Sequence, residues 1–209
     1  HRISLNRDIA RHKNRVHGIL LMAGIRPGHT DIFGPAGRGF LKDLKNLSDS
    51  NRYNLESHLN IIDALEVERA QITKKVEKLC KVDKQAMLLT SIKGVSYYGA
   101  MVVKTELGDF NRFPDEKRIC GYAGLVPRTM QSGEHTYQGR IIKECNQNLK
   151  WILNQCVHSH IRFCPESPIT KLYYRVMAKH GKAKATVAAS RKMLTCMWNM
   201  IMRNETFKY

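Results

Sequence analysis

A long run of apolar residues at helical spacing constrains this chain more than any other feature. Between residues 51 and 80 these positions recur at intervals of three, four and seven: Leu55, Leu59, Ile62, Leu65, Ile72, Val76 and Leu79. The spacing predicts an amphipathic or short coiled-coil helix, because it places the apolar side chains on one face. Arg69 stands where that face would carry an apolar residue. Two equal alternatives remain, packing within one chain and self-association of several chains.

The rest of the chain also favours helices, since no segment shows the sustained two-residue alternation of a half-buried strand. A basic helix is predicted over about 3–24, ended by Gly24 and Pro27 and followed by a glycine-rich loop over 28–39. Further helices are predicted at about 40–47, 84–91, 97–107, 115–122, 144–163, 168–179 and 183–203. Residues 121–139 are expected to form a long irregular segment. The predicted fold class is therefore mainly α.

The charge balance narrows the classes of partner. The 209 residues include 35 Lys and Arg against 18 Asp and Glu, a formal net charge of +17. Nucleic acid is the leading partner, because lysine and arginine contacts to phosphates release counterions. A membrane surface would require a basic amphipathic helix with an aromatic face, and we find neither that helix nor a transmembrane run or signal peptide. No membrane partner is expected.

The cysteines and acidic residues bear on redox compartment and metals. None of the six cysteines forms a C-x-x-C pair, which argues against structural zinc and a disulfide framework and suits a reducing cytoplasm. The acidic residues show no cluster of the kind that holds Mg²⁺. His158 and His160 are two residues apart and face different sides of a helix. No metal site is therefore expected in this chain.

A short turn at residues 92–100, Ile-Lys-Gly-Val-Ser-Tyr-Tyr-Gly-Ala, is typical of a helix-hairpin-helix motif. Gly94 would let the backbone approach a phosphate, the N–H groups after Ser96 would face the anion, and Lys93 would add a charge. Such hairpins often have a second glycine where this chain has Ser96. A plain packing corner between two helices is the alternative.

A second candidate site is a serine in a basic, glycine-rich segment. Ser132 stands between Gln131 and Gly133, and three basic residues flank it in sequence: Arg128, Arg140 and Lys143. A serine hydroxyl can attack phosphorus if positive charge stabilises the developing oxyanions and a base or metal takes its proton. Taken in isolation, Ser-Gly in a loop is far more often a simple turn.

The C-terminal region is basic with few acidic residues to balance it. Its cations are Lys150, Arg162, Lys171, Arg175, Lys179, Lys182, Lys184, Arg191 and Lys192. Tyr173 and Tyr174 lie among them and could stack on bases. Nucleic-acid contact is favoured here over a solvated charged face, with Lys182 and Lys184 as candidate binding residues.

The run from Leu88 to Leu153 resembles the C-terminal transposase domain of the insertion-sequence-110 family, including its 1111-type branch. The segments that carry the resemblance include IKGVSYYGA (92–100), GYAGLVPR (121–128) and QSG (131–133). KNRVHGIL (13–20), FGPAGR (33–38) and the last helix extend it over nearly the whole chain. It divides the chain into a basic helix, loop and coiled-coil-like region, 1–82, and a C-terminal transposase domain, 83–209.

The resemblance implies a recombinase that moves an insertion sequence under the guidance of a structured RNA. It implies that the serine of QSG, here Ser132, attacks the scissile DNA phosphate and forms a covalent intermediate. It also implies an N-terminal domain of ribonuclease H type that binds Mg²⁺ through four acidic residues. That domain would lie upstream of His1, so the chain is expected to be a C-terminal fragment that binds no cofactor and is inactive alone.

The expected partners are DNA, a guide RNA and further copies of the chain, as a dimer or tetramer. Two alternatives to the enzyme stay open: a truncated remnant that only binds DNA or RNA, and a helix-hairpin-helix module that binds DNA junctions. Glu144 and Cys145 depart from the family pattern, which usually has a glycine just before Asn146. The departure either weakens nucleic-acid contact locally or remodels the loop.

Overall fold

A computed structural model of the protein describes residues 1–132, 135–142 and 144–208, with the backbone alone at 129, 130, 132, 135, 136, 138 and 140. The helices are α1 (Arg2–Met22), α2 (Pro35–Asp43), α3 (Asp49–Val82), α4 (Lys84–Leu89), α5 (Tyr97–Leu107), α6 (Glu116–Tyr122), α7 (Gln147–Phe163) and α8 (Pro168–Arg203). A 3-10 turn, Phe110–Arg112, precedes α6, and strands β1 (Pro127–Ser132) and β2 (His135–Ile141) pair with each other. The predicted mainly α fold class is confirmed.

The chain forms two compact units, residues 1–75 and 76–209. In the first unit, two contacts show that α1 and α3 run antiparallel. Arg2 donates to the hydroxyl of Thr73 at 2.8 Å, and the Nδ1 atoms of His12 and His58 are 3.1 Å apart. A continuous apolar core lies among α1, α2 and α3, and its largest fully buried side chains are Leu20, Leu41, Leu55 and Ile62. The first unit is thus a helical hairpin closed by α2.

Arg69, the cation on the apolar face of α3, reaches α1. Its guanidinium donates to the side-chain oxygen of Asn6 at 3.3 Å and lies 3.7 Å from the carboxylate of Glu66. Because this arginine contacts a neighbouring helix of its own chain, packing within one chain is observed for this part of α3. Self-association of the helix stays a prediction.

The sequence predicts a loop over residues 28–39, but α2 begins within this segment, at Pro35. Proline fits the first position of a helix, where its fixed φ is helical and its missing N–H has no partner to lose. Gly37 lies within the helix, where a Cβ would come 2.3 Å from the Cα of Ile32. Close packing, rather than chain flexibility, explains this glycine. The helix also ends earlier than predicted, at Asp43.

The second unit has a larger core, in which α7 packs against α5 and α8. Leu89, Leu107, Ile119, Leu149 and Leu153 are fully buried there. Side-chain caps begin five of its helices, each at the residue before the helix: Asp83, Ser96, Asp115, Asn146 and Ser167. Each cap accepts a hydrogen bond from a backbone N–H that would otherwise lack a partner.

The segment 121–139 is not irregular, because most of it forms a β-hairpin. Thr129 pairs with Gln138 and Ser132 with His135, and a bulge interrupts the ladder between Pro127 and Thr129. Neither strand alternates apolar and polar residues, since their sequences are PRTMQS and HTYQGRI. The period-two signal that reveals most strands is therefore missing here.

The last two predicted helices form one element, α8, that is broken at Gly181. The backbone there has φ 80° and ψ 171°, which is not helical. The break divides α8 into residues 168–180 and 182–203, close to the predicted bounds of 168–179 and 183–203. Among the residues that the structure describes, no helix is both long enough and apolar enough to cross a bilayer.

Candidate nucleic-acid interface

Ser132 lies at the outer end of the β-hairpin. Five residues separate it from Pro127 at the base, so the tip lies about 16 Å from the base at the usual rise of a strand. Gln131, next to it, is exposed, and so is Tyr137 on β2. Gly133 and Lys143, both candidate site residues, lie outside the described residues, and for Ser132 the backbone alone is described. The fold therefore presents the candidate nucleophile on an arm.

Two of the predicted neighbours of Ser132 lie at the base of the arm rather than at its tip. Arg128 and Arg140 both occupy the bulged part of the ladder, between the pairs Pro127–Ile141 and Thr129–Gln138. The Arg128 side chain is exposed. Four strand residues place Arg128 about 13 Å from Ser132 along β1. At that distance a long side chain such as arginine can reach toward the backbone of a strand bound along the arm.

Cys145, which departs from the family pattern, packs directly against Gly124. Gly124 has φ +63°, and a Cβ there would come 2.3 Å from the Cys145 sulfur and 3.2 Å from the carbonyl oxygen of Ile142. The thiol therefore fills the space over the glycine, which leaves room for no side chain larger than hydrogen. Glu144 is exposed. The segment after β2 is thus closely packed against the segment before β1.

A polar network that sequence reasoning missed fixes the start of α7. The carboxylate of Glu106 accepts from the amide of Asn146 at 2.6 Å and from that of Asn148 at 3.0 Å. The hydroxyl of Tyr122 donates to the Glu106 carbonyl oxygen at 3.1 Å, and Arg112 lies over the Tyr122 ring. Hydrogen bonds from Asn146 and Arg112 lower the pKa of Tyr122. These residues are far apart in sequence, so no local motif announces them.

The predicted helix-hairpin-helix turn joins α4 to α5, and Ser96 begins α5 by accepting from the Gly99 N–H at 3.1 Å. Gly94 has φ +95° and faces α7, where a Cβ would come 2.5 Å from the backbone nitrogen of His160. The Lys93 side chain is exposed. Close packing on α7 therefore explains the glycine, and phosphate binding at this turn stays a prediction.

His160 is fully buried and joins three segments. Its Nδ1 is 2.7 Å from the carbonyl oxygen of Lys93, and its Nε2 is 2.8 Å from the hydroxyl of Ser167, the residue that caps α8. A carbonyl oxygen only accepts, so Nδ1 carries the proton and Nε2 accepts from Ser167. Burial lowers the pKa of His160 below its ordinary value of 6.5. The neutral ring thus ties the turn to α7 and α8.

We expect this histidine to make the second unit sensitive to acid. Because its pKa is lower in the fold than in the unfolded chain, the unfolded state binds the proton more readily. The contribution to stability is full above about pH 6.5 and is lost as the pH falls from there through the lower pKa of the folded state. Urea unfolding at pH 7.5 and pH 5, followed by tryptophan fluorescence, checks this, because both tryptophans, Trp151 and Trp198, lie in this unit.

His160→Gln provides the control for this prediction. The variant is expected to be less stable at pH 7.5 but to lose less stability between the two pH values than the original chain. An equal loss in both proteins would show that His160 does not cause the pH dependence.

The C-terminal half of α8 supplies an exposed basic face. Lys182 and Lys184, the two candidate binding residues here, are exposed directly after the break at Gly181, and so are Arg191 and Lys192. Among the described residues of the basic C-terminal region, one ion pair is formed, between Lys171 and Glu166 at 3.0 Å. The four cations on the face of α8 are not part of it. The described residues also hold no group of three His, Cys, Asp or Glu that could bind a metal ion. Phosphate contact by this exposed basic face stays a prediction.

Residues 86–175, which include the turn at Gly94, the hairpin with Ser132 and all of α7, match the Transposase IS116/IS110/IS902 family. The similarity to this family lies in a segment that makes up less than half of the chain. The matched segment contains all of the predicted site residues except Lys182 and Lys184.

Proteins with sequences similar to this chain come from several bacteria. A Sinorhizobium fredii protein named as a transposase, y4rJ, is 25% identical over 96% of this chain and 55% of its own length. The transposase for insertion sequence element IS1111A of Coxiella burnetii is 25% identical over 64% of this chain and 37% of its own. The pilin gene-inverting protein of Moraxella bovis is 27% identical over 66% and 43%. The chain thus spans about half the length of the first relative and less of the other two.

Proposed function

We propose that this chain is the serine-bearing part of a DNA transposase, a recombinase that cleaves and rejoins DNA strands during transposition of an insertion sequence. The observation that carries the proposal is the position of Ser132, at the outer end of a hairpin inside the segment that matches the transposase family. The relative from Moraxella bovis is named for the inversion of a pilin gene, which is also a DNA rearrangement.

In the proposed reaction, the hydroxyl oxygen of Ser132 attacks the phosphorus of a phosphodiester in DNA. A bond forms between the serine oxygen and phosphorus, the bond from phosphorus to one DNA oxygen breaks, and the serine proton leaves while the departing oxygen takes one up. The covalent ester conserves the energy of the broken bond, so the reverse attack by a DNA hydroxyl can rejoin a strand. Serine is suited to this role because the formation of its ester with a DNA phosphate can be reversed.

Attack on the phosphate requires positive charge close to its developing oxyanions. The Mg²⁺ that the family resemblance implies would supply such charge. The described residues of this chain do not fit a metal site. In our proposal Mg²⁺ therefore belongs to the acidic domain that the resemblance implies, and this chain contributes the serine and its binding surface. A guide RNA and assembly into a dimer or tetramer are part of the same proposal. The basic surface supports the first, and the exposed apolar side chains of Val67 and Leu79 on α3 support the second.

The chemical part of the proposal is tested in the whole gene product. Ser132→Ala is compared with the original protein for excision of the element's DNA and for the covalent protein–DNA adduct. A protein that still forms the adduct without this hydroxyl would contradict the assignment.

A second candidate is a chain that only binds nucleic acid and carries out no chemistry. The exposed basic face of α8, where Lys182, Lys184, Arg191 and Lys192 form no ion pair within the described residues, favours it, because binding requires nothing more. This alternative predicts that the original protein and the Ser132→Ala variant both fail to rearrange DNA. The Ser132→Ala comparison therefore separates the two candidates.

Binding to DNA is expected to depend steeply on salt. Each phosphate contact adds about 0.9 to the slope of log Kd against log salt concentration for duplex DNA, since each contact displaces a counterion. We expect the affinity of this chain for a 30-base-pair duplex to fall about 10²-fold or more between 50 and 200 mM NaCl. Fluorescence anisotropy measures it. A change smaller than about threefold would contradict binding through phosphates.

A further inference from the structure

A cleft of about 420 Å³ lies between the base of the hairpin and the second half of α8. Its floor is apolar and is formed by Leu125, Pro127, Ile141, Leu172, Val187 and Ala188. The volume is within the range of clefts that hold small organic molecules, about 300–1,000 Å³. It offers a flat aliphatic surface that water solvates poorly and that a planar ring can cover.

The rim of the cleft is basic. Lys184, Arg191 and Lys192 line it, against the single acid Glu116. The three cations are exposed, and none forms an ion pair with any described residue. A cleft with an apolar floor and unpaired cations at its edge complements a ligand that is both aromatic and anionic.

The cations share one helical face with the apolar floor. Lys184, Ala188, Arg191 and Lys192 follow one another at intervals of four, three and one, which places them along one side of α8. Lys184 and Arg191 are about 10 Å apart along the axis, so they are spaced for different phosphates of one strand and not for a single phosphate. The ligand is therefore part of a polymer rather than a free nucleotide.

The cleft is continuous with the hairpin that carries Ser132. Pro127 and Ile141 form the cleft floor and are also the ladder pair at the base of the arm. Along β1 the tip lies about 16 Å from this pair, a distance of about five stacked nucleotides. A strand that reaches Ser132 with its scissile phosphate can therefore reach the cleft with a nucleotide a few positions away.

We propose that this cleft binds one unpaired nucleotide of the DNA strand, with its base on the apolar floor and the adjoining phosphates on Lys184, Arg191 and Lys192. The inference rests on the proposed function, since it takes the strand at Ser132 to be DNA. A base within a duplex cannot reach the floor without leaving the stack, so the cleft selects strand regions that are open or easily opened.

The experiment measures binding of the 209-residue chain to a fluorescein-labelled 20-nucleotide single strand and to a duplex of the same length. Arg191→Gln with Lys192→Gln removes two rim charges, and Lys78→Gln with Lys84→Gln removes two exposed charges of the same unit away from the cleft. We expect the rim variant to weaken single-strand binding about tenfold and to lower the salt slope by about 1.4, and the control to weaken it by less than about threefold. Equal effects of the two variants would overturn the cleft as the binding site.

Ala188→Leu fills the floor without changing the charge, and leucine suits a helix nearly as well as alanine does. It is expected to weaken single-strand binding about tenfold while leaving the affinity for the duplex within about twofold. Unchanged single-strand binding would overturn the placement of the base. An RNA of the same sequence that binds more tightly than DNA, and loses that advantage in Ala188→Leu, would overturn the assignment to DNA.

A measurement on the unaltered chain tests whether a base leaves the stack on binding, independently of how the variants fold. 2-Aminopurine is placed at successive positions of the single strand, and its emission rises where the base leaves its stacked neighbours for the cleft. No rise at any position would overturn the proposal. Binding requires no strand cleavage, so an adduct that persists in Ser132→Ala would overturn the serine assignment and leave these binding results intact, and a failure of the binding tests would leave the serine assignment intact.

Discussion

Ser132→Ala is expected to reduce DNA strand cleavage by at least about 10³-fold, because the substitution removes the atom that forms the bond to phosphorus. Binding to the same DNA is expected to change by less than about twofold, since phosphate contacts from lysine and arginine supply most of the affinity. Cleavage is measured on labelled DNA that carries an end of the element, with the whole gene product.

Ser50→Ala is the matched control, because Ser50 is exposed in α3 and the substitution deletes the same oxygen. It is expected to retain full cleavage. If Ser132→Ala cleaved DNA as fast as Ser50→Ala, the hydroxyl of Ser132 would not be the nucleophile.

Gly94→Ala is expected to destabilise the second unit by about 3 kcal/mol or more. Two effects add: φ +95° strains any residue with a Cβ, and the new carbon would come 2.5 Å from the His160 nitrogen and 2.8 Å from its Cα. These are backbone atoms of α7, which cannot move aside as the end of a side chain can. Urea unfolding followed by tryptophan fluorescence reports on this unit.

Gly108→Ala separates the two effects. Gly108 also has a positive φ, +64°, but nothing lies within 4 Å of the position of its Cβ. It is expected to cost about 1–3 kcal/mol, from backbone strain alone. If Gly94→Ala cost no more than Gly108→Ala, the turn would not be packed against α7.

Local sequence patterns predicted most of the helices. They missed the β-hairpin and the helix that begins at Pro35. The helix at 97–107 begins and ends where it was predicted, because Ser96 caps it and Gly108 ends it. The hairpin at 127–141 was missed because its strands, PRTMQS and HTYQGRI, lack alternating hydrophobicity. The helix beginning at Pro35 was missed because its glycines suggested a loop.

The same distinction applies to the candidate site. The sequence, through its resemblance to a family, singled out Ser132 and its basic neighbours, but could not tell that Arg128 and Arg140 lie at the base of the arm. The role of Gly94 depends on His160, which is far away in sequence. The cleft draws on residues from 116 to 195, whose meeting follows only from the fold.

The central claim, that Ser132 becomes covalently linked to DNA, is tested most directly by locating the adduct. The whole gene product is trapped on DNA, digested with nuclease and trypsin, and analysed by mass spectrometry for peptides that carry a nucleotide. Trypsin releases residues 129–140 as one peptide, in which Ser132 is the only serine beside Thr129, Thr136 and Tyr137. The account predicts a nucleotide on Ser132 of this peptide. A nucleotide on Tyr137 or on any other peptide would contradict it.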